Sequence, residues 1–439
     1  MRTFAIAALV LAAGSAACEN DLALGSTTDD GSSVAGSSVM DPSVTDTSTT
    51  GDVATSTSTT HAPTSSTSTT DTSTTGSTTE PEVFDYEGEH VVVDADPGLE
   101  LCGGAMQHLD DFVARAAPRF AVEAPAGGDR IRYTWVLTEF ELQQHCSLSD
   151  DLSGCAKGGS ETYSLLAPHV HELVHNVSFR IKDGYPPAFF VEGAAVAHHG
   201  YKGRVFREYA DSNIDIVSLM TLSFKQLAAT PGAYAAAGQY NGYLIGHHGI
   251  ENYLHLYEAL PAGASLATID QVFQDILQVS VADSVDHYTN GDHDWRYGHI
   301  DALLSECNAP ELEWDGELLD MEGEVECTRT DAIGPYDGRV TVQYTLEVQA
   351  DALYELRLAG DDQESTIIPD EFANFGQPST AVSIYPCRMG SVGFLETQVG
   401  GTPRRGGLSP GRHTLRLHAP LHEPGPVAFT LKRLPPDPP

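Results

Sequence analysis

The sequence predicts an α+β domain over residues 83–308 followed by an all-β sandwich over residues 309–439. Three observations carry that expectation. Residues 90–137 hold two short strand-like runs around a stretch with helical spacing, helical patterns dominate from about residue 168 to 279, and after Cys307 the chain turns to short alternating runs broken by Gly, Pro and Asp. Composition sets the outer limits. With 62 acidic and 23 basic side chains the chain carries a formal charge of −39, which repels phosphate backbones and anionic headgroups. A nucleic-acid binder, or a peripheral membrane protein working through a broad basic patch, is excluded.

The N-terminus precedes the fold. One basic residue, Arg2, an apolar run over residues 4–13 too short to span a bilayer, and the small residues Gly14, Ser15, Ala16 and Ala17 read as a signal peptide over residues 1–17. Cys18 directly after Ser-Ala-Ala resembles the lipobox of bacterial lipoproteins, whose cysteine is lipidated, with Ser15 standing where leucine is usual. Cysteine parity agrees. Setting Cys18 aside leaves Cys102, Cys146, Cys155, Cys307, Cys327 and Cys387, an even set suited to three disulfides in an oxidising compartment. The expected location is extracytoplasmic, anchored to a bacterial membrane or cell surface through lipidated Cys18, with free secretion as the alternative. Over residues 45–79 Ser and Thr supply 25 of 35 positions, and residues 19–82 carry ten acids and no base. Such a stretch cannot bury enough apolar surface to offset its ordering entropy, so residues 18–82 are expected to be a lipidated cysteine and a disordered, solvated linker.

Within residues 83–308 the elements follow in order. Residues 90–93 read as a strand, 105–117 as a helix with Met106, Leu109, Phe112 and Val113 on its inner face, and 131–137 as a second strand. Cys146 and Cys155 are close enough in sequence to close a small loop. Helical patterns cover 168–181, where Pro168 suits a helix opening, then 187–199, 204–211, 240–260 and 269–279. Residues 286–299 read as a polar surface loop, since their acidic positions lack the spacing of a calcium loop. In residues 309–439, strands are expected at 339–348, 353–358, 381–385, 392–397, 413–418 and 427–431, with Cys327 and Cys387 available to staple them.

The chemistry concentrates in His171-Glu172-Leu173-Val174-His175. On a helix, positions i and i+4 share one face, so both imidazoles can reach one metal ion, and Glu172 can reach a water bound to it. Sixteen residues after His175 begins Val191-Glu192-Gly193-Ala194-Ala195 in another helical stretch. With these residues the chain resembles the gluzincin metallopeptidases, the thermolysin-like clan that includes aminopeptidase and collagenase families. The run from Tyr234 to Ile245, followed by Gly249, Tyr253 and Leu256, is similar to a downstream helix of the collagenase-like members. The metzincin pattern is absent, because Ser178 and Ile181 stand where its glycine and third ligand belong.

The resemblance implies a zincin-like peptidase fold, one Zn²⁺ per chain held by His171, His175 and Glu192, and Glu172 as general base toward a peptide or protein substrate. Zn²⁺ so held keeps a position for water, lowers that water's pKa and polarises the scissile carbonyl. It further implies that residues 161–164 form the edge strand that pairs with extended substrate. Tyr240, Tyr243, His247 and His248 are candidates for the donor to the oxyanion. One departure is plain: where thermolysin-like members place an aspartate four residues after the third ligand, this chain has Val196. Asn176-Val177-Ser178 matches a glycosylation sequon, but its place on the zinc helix makes it inert. The expected protein is a monomer without nucleic-acid partners. The alternative is an inactive cell-surface binding or adhesion lipoprotein on the same scaffold.

Overall fold

Alternate burial along the strand Ile131–Trp135, with Ile131, Tyr133 and Trp135 inward, suits it to the centre of the first sheet. The computed structural model describes residues 84–146, 153–182, 184–199, 214–290, 306–336, 338–360, 380–387, 395–399, 401–421 and 426–435. The signal peptide, Cys18, the linker and the expected helix at 204–211 lie outside the described residues. The N-terminal part runs β1 (Tyr86–Glu87), β2 (Val91–Ala95), α1 (Ala105–Arg119), β3 (Ile131–Trp135), α2 (Glu139–His145), β4 (Gly154–Lys157), β5 (Glu161–Ser164) and α3 (Val170–Ser178). The sheet order is β1-β2-β3-β5-β4, with β2, β3 and β5 parallel and both outer strands antiparallel to their neighbours. Leu109, Phe112 and Val113 of α1 and Leu173, Val174 and Val177 of α3 bury against Val91, Val93, Ile131 and Tyr133. The apolar flanks of the His-Glu motif therefore anchor its helix on the sheet.

A helical layer follows: α4 (Ala188–His199), α5 (Ile216–Leu219), α6 (Phe224–Ala228), α7 (Ala233–His248), α8 (Ile250–Ala259), α9 (Leu266–Leu277) and α10 (Val281–Asn290). The single helix expected at 240–260 is two. Gly249 adopts φ +84°, a conformation costly for any residue with a Cβ, and turns the chain between α7 and α8. Residues 286–290, expected in a loop, close α10, and the rest of that segment lies outside the described residues. Among the described residues no helix is long and apolar enough to cross a membrane.

The C-terminal part contains β6 (Leu318–Glu324), β7 (Ile333–Tyr336), β8 (Arg339–Val348), β9 (Ala352–Gly360), β10 (Ala381–Pro386), β11 (Leu395–Gln398), β12 (Arg404–Leu408), β13 (Gly411–Pro420) and β14 (Pro426–Arg433). They form two antiparallel sheets, β11-β10-β13-β8-β7 and β12-β9-β14-β6, around one apolar cluster that includes Val342, Leu356, Ile384, Leu417 and Phe429. Three of these strands, β6, β7 and β12, lie beyond the expected set, and all three are sheet edges. Edge strands protect themselves with acids, Gly and Pro, and Leu-Leu-Asp-Met-Glu-Gly-Glu, Ile-Gly-Pro-Tyr and Arg-Arg-Gly-Gly-Leu do so, which erases the alternating apolar signal.

The described residues belong to one compact unit, and the disulfides show how its parts are joined. Cys146 pairs with Cys155, Cys307 with Cys387, and Cys102 with Cys327. Cys327 thus ties the sandwich to the turn before α1, while Cys387 meets Cys307 at the entry to the sandwich. Backbone bonds reinforce the junction: the N–H groups of Cys102, Gly103 and Gly104 donate to the carbonyls of Gly334, Cys327 and Ala332 at 2.9, 2.9 and 2.8 Å. Because Cys102 and Cys327 are 225 residues apart, their bond removes much unfolded-chain entropy. The double variant Cys102→Ser/Cys327→Ser is expected to lose about 2–5 kcal/mol, read by urea unfolding, with an unchanged midpoint arguing against this staple.

The three disulfides place the folded chain in an oxidising, extracytoplasmic compartment.

Candidate metal centre

The helix α3 presents His171 and His175 one turn apart, and α4 brings Glu192 against them. All three are buried, at 8%, 5% and 7% exposure. His175 Nε2 lies 3.1 Å from His171 Nε2, and Glu192 Oε2 lies 3.2 Å from His171 Nε2 and 3.4 Å from His175 Nε2. Ligand atoms about 2.0–2.1 Å from a tetrahedral ion stand about 3.3 Å from one another, so the triangle has the dimensions of a zinc-sized site. Two imidazole nitrogens and a carboxylate oxygen meeting in a buried pocket form a donor set that suits a cation. Among the described residues this is the group of three whose ligand atoms all lie within 4.8 Å, and it could hold a metal ion.

The charges follow from burial and neighbours. Burial alone raises the Glu192 pKa, but the imidazoles of His175 and His171 overcome it and hold the carboxyl at about 2. Glu172 behaves in the opposite way. Burial and the nearby Glu192 carboxylate raise its pKa to about 7, against opposing contributions from His171 and the Ala156 N–H. A carboxyl titrating near neutrality is suited to taking and returning a proton. Because its folded pKa exceeds the unfolded value of 4.5, the stability associated with the protonated carboxyl is full below pH 4.5 and is lost as the pH rises through 7. With chelator present, the stability of wild type relative to Glu172→Gln is expected to fall by about 3 kcal/mol across that window, and an invariant difference would contradict the buried, raised carboxyl.

The hairpin of β4 and β5 is fastened to α3 by Asn176, whose Nδ2 donates to the carbonyls of Gly158 and Glu161, both at 2.9 Å, while Thr162 Oγ1 donates to its Oδ1 at 2.5 Å. Asn176 is fully buried and its amide is used, so the sequon has no glycan-accepting role. This fastening sets the β4 backbone beside Glu172. It also corrects the expectation for residues 161–164: β5 lies inside the sheet between β3 and β4, and β4 is the edge. A four-residue strand of Gly-Cys-Ala-Lys has too little apolar pattern to be legible as a strand from sequence.

Gly193 lets α4 pack closely on α7: a Cβ there would meet Asn241 Nδ2 at 1.9 Å and the Ala237 carbonyl at 2.8 Å, both on α7. Ala195 of α4 joins the core that α3 forms with the sheet. One expectation changes. The four oxyanion-donor candidates point elsewhere. Tyr240 OH donates to Ser284 Oγ at 2.8 Å, Tyr243 OH lies 2.8 Å from His287 Nδ1, and His247 and His248 pack with that group. Tyr234, in the first turn of α7, is the phenol at the centre: Glu192 and Glu172 both act on its hydroxyl, and its ring lies 6.4 Å from that of His171. Its pKa is raised by burial and by the Glu192 and Glu172 carboxylates, so the hydroxyl stays protonated as a donor. Helical spacing explains the difference. Positions 234, 237 and 241 face α4, where Asn241 bonds the Phe189 carbonyl, while 240, 243 and 247 face α10.

The sandwich reaches this neighbourhood too. Tyr336 of β7 lies 6.4 Å, ring to ring, from His169, whose ring lies 5.9 Å from His171 and whose Nδ1 is 2.8 Å from Ser164 Oγ. His175 Nδ1 is buried without a hydrogen-bond partner among the described residues.

No family model matches the sequence, and no curated protein matches it. Among solved structures, the chain is similar to PliG of Aeromonas hydrophila, a periplasmic inhibitor of g-type lysozyme, at 12% identity over 29% of this chain and 96% of that one, with a TM-score of 0.19. The pre-peptidase C-terminal domain of collagenase from Bacillus anthracis matches at 13% identity over 28% and 93%, with a TM-score of 0.18. Salmonella Typhimurium PliG matches at 6% identity over 29% and 98%, with a TM-score of 0.17. Likenesses at these TM-scores carry no argument about the activity of this chain.

Proposed function

We propose that this chain is an exported zinc peptidase of the gluzincin type, with His171, His175 and Glu192 as metal ligands, tethered to a bacterial membrane through lipidated Cys18. The observation that carries the reading is the buried triangle of His171, His175 and Glu192 with ligand atoms 3.1–3.4 Å apart, with the buried Glu172 carboxyl beside it. Bound there, Zn²⁺ supplies a Lewis acid and an acidified water. Glu172 accepts the proton of the attacking water and returns it to the leaving amine. The Tyr234 hydroxyl, kept protonated by its surroundings, serves as the donor to the negative charge that develops on the substrate oxygen. Along β4, whose outer edge has no strand partner among the described residues, an extended peptide can add as a further strand. The buried, unpartnered His175 Nδ1 implies metal binding about 10–100-fold weaker than in a site where that nitrogen is bonded.

Metal analysis of the purified full chain, with cleavage of a mixed peptide library before and after chelation, tests the reading. About one tightly held zinc and chelator-sensitive cleavage are expected. Zinc retained without cleavage would favour the adhesion scaffold instead, and cleavage indifferent to chelation would remove the metal mechanism.

A further inference from the structure

The sandwich meets the metal-binding part of the chain at β7, and the junction leaves no slack. Besides the Cys102–Cys327 bond and the backbone hydrogen bonds made by Cys102, Gly103 and Gly104, a Cβ at Gly103 would lie 2.5 Å from the Arg329 carbonyl oxygen, and one at Gly104 2.8 Å from the Asp331 carbonyl carbon. Backbones packed this closely fix one another, because neither can slide without a clash. Tyr336 ends β7, so the sandwich brings its ring to His169.

His169 stands where several elements converge. It is the residue before α3 and is 4% exposed. Ser164 Oγ of β5 lies 2.8 Å from its Nδ1, and a Cβ at Gly154 of β4 would meet that nitrogen at 2.9 Å and Glu172 Cγ at 3.1 Å. Its ring lies 5.9 Å from that of the ligand His171 and 6.4 Å from that of Tyr336. The segment between β5 and α3 is held from β3 as well: the Tyr133 hydroxyl donates to the Leu166 carbonyl, and Trp135 Nε1 donates to the Leu165 carbonyl at 3.3 Å. Tyr336 is also near enough to act on that buried Tyr133 hydroxyl. The sandwich thus reaches the entry to the zinc helix at two points, His169 and Tyr133.

We propose that Tyr336 is a positioning residue of the metal centre, which through His169 holds the first turn of α3, and with it His171 and Glu172, so that the sandwich is a working part of the site. This rests on the zinc reading above. His169 and His171 share one turn of helix, a rigid unit, and a bound ion tolerates displacement of its ligands by only about 0.2 Å.

Tyr336→Ala in the full chain is expected to weaken zinc binding about tenfold, read by competition with a chromophoric chelator, while Tyr336→Phe, which keeps the ring, stays within about twofold of wild type. Val427→Ala, in β14 of the sheet that does not contain β7, loosens the sandwich and serves as the control. In a His169→Ala background, adding Tyr336→Ala should cost little further affinity. Unchanged affinity in Tyr336→Ala, an equal loss in Val427→Ala, or strictly additive losses with His169→Ala would overturn the proposal. Wild type without zinc would sink the proposed function instead. The same cycle of His169→Ala and Tyr336→Ala, read by urea unfolding of the metal-free proteins, then decides the positioning role, coupled losses upholding it and additive losses overturning it.

Discussion

Glu172→Gln is expected to lower kcat of peptide cleavage on the order of 10³-fold while the zinc content of the purified protein stays that of wild type. The substitution keeps the side chain's shape and its capacity to accept from the Ala156 N–H, and removes only the ability to take a proton. The loss is expected because Glu172 is buried one position from His171, within reach of a water held at the triangle, and an amide cannot take that water's proton. Steady-state kinetics on one cleaved peptide, with metal measured on the same sample, separates the possibilities. Equal turnover in the variant would end the general-base assignment, and a loss of zinc would make Glu172 structural.

Tyr234→Phe should reduce kcat by about 10²–10³-fold with KM nearly unchanged, the pattern for a donor that bonds the substrate oxygen only as charge builds on it. Since Glu192 is close enough to act on the hydroxyl, a second role is open to it: orienting that carboxylate. The two differ in their readout. A ligand-orienting hydroxyl would show as weaker zinc binding with activity restored at saturating Zn²⁺, whereas a donor to substrate leaves the loss in kcat at any zinc concentration. Tyr240→Phe and Tyr243→Phe serve as controls and should stay near wild-type kcat, because their hydroxyls are engaged with Ser284 and His287.

Local spacing makes much of the centre legible in the sequence. His171, Glu172 and His175 need only the i, i+4 geometry of one helix, and the apolar residues between them mark which face is buried. Glu192 is 21 residues away and is reachable only through its Glu-Gly-small-small setting, although Gly193 serves the packing of α4 on α7. Tyr234 lies in the same run as Tyr240 and Tyr243, and nothing local separates the three, because a helix rich in Ala and Gly carries no strong apolar face to show its rotation. Asn241 against Gly193 and the Phe189 carbonyl sets that rotation, and both contacts are tertiary. The sandwich shows the same division: central strands such as β8 declare themselves by alternation, while β6, β7 and β12 hide behind the residues that guard sheet edges.

By itself, then, the sequence determined an α+β part followed by a β-rich part, an even set of six cysteines in the folded region, and a His-Glu-x-x-His helix with its apolar anchor. These are matters of composition and short-range periodicity, which the backbone repeat converts directly into a face or a strand. Tertiary structure alone decided that β4 and not β5 is the sheet edge, that Cys102 reaches Cys327, that Tyr234 lies beside the triangle of His171, His175 and Glu192, and that Tyr240 and Tyr243 turn to Ser284 and His287. Each depends on which elements pack together and at what rotation, and that is set by burial summed over residues far apart in the chain, which no local repeat encodes.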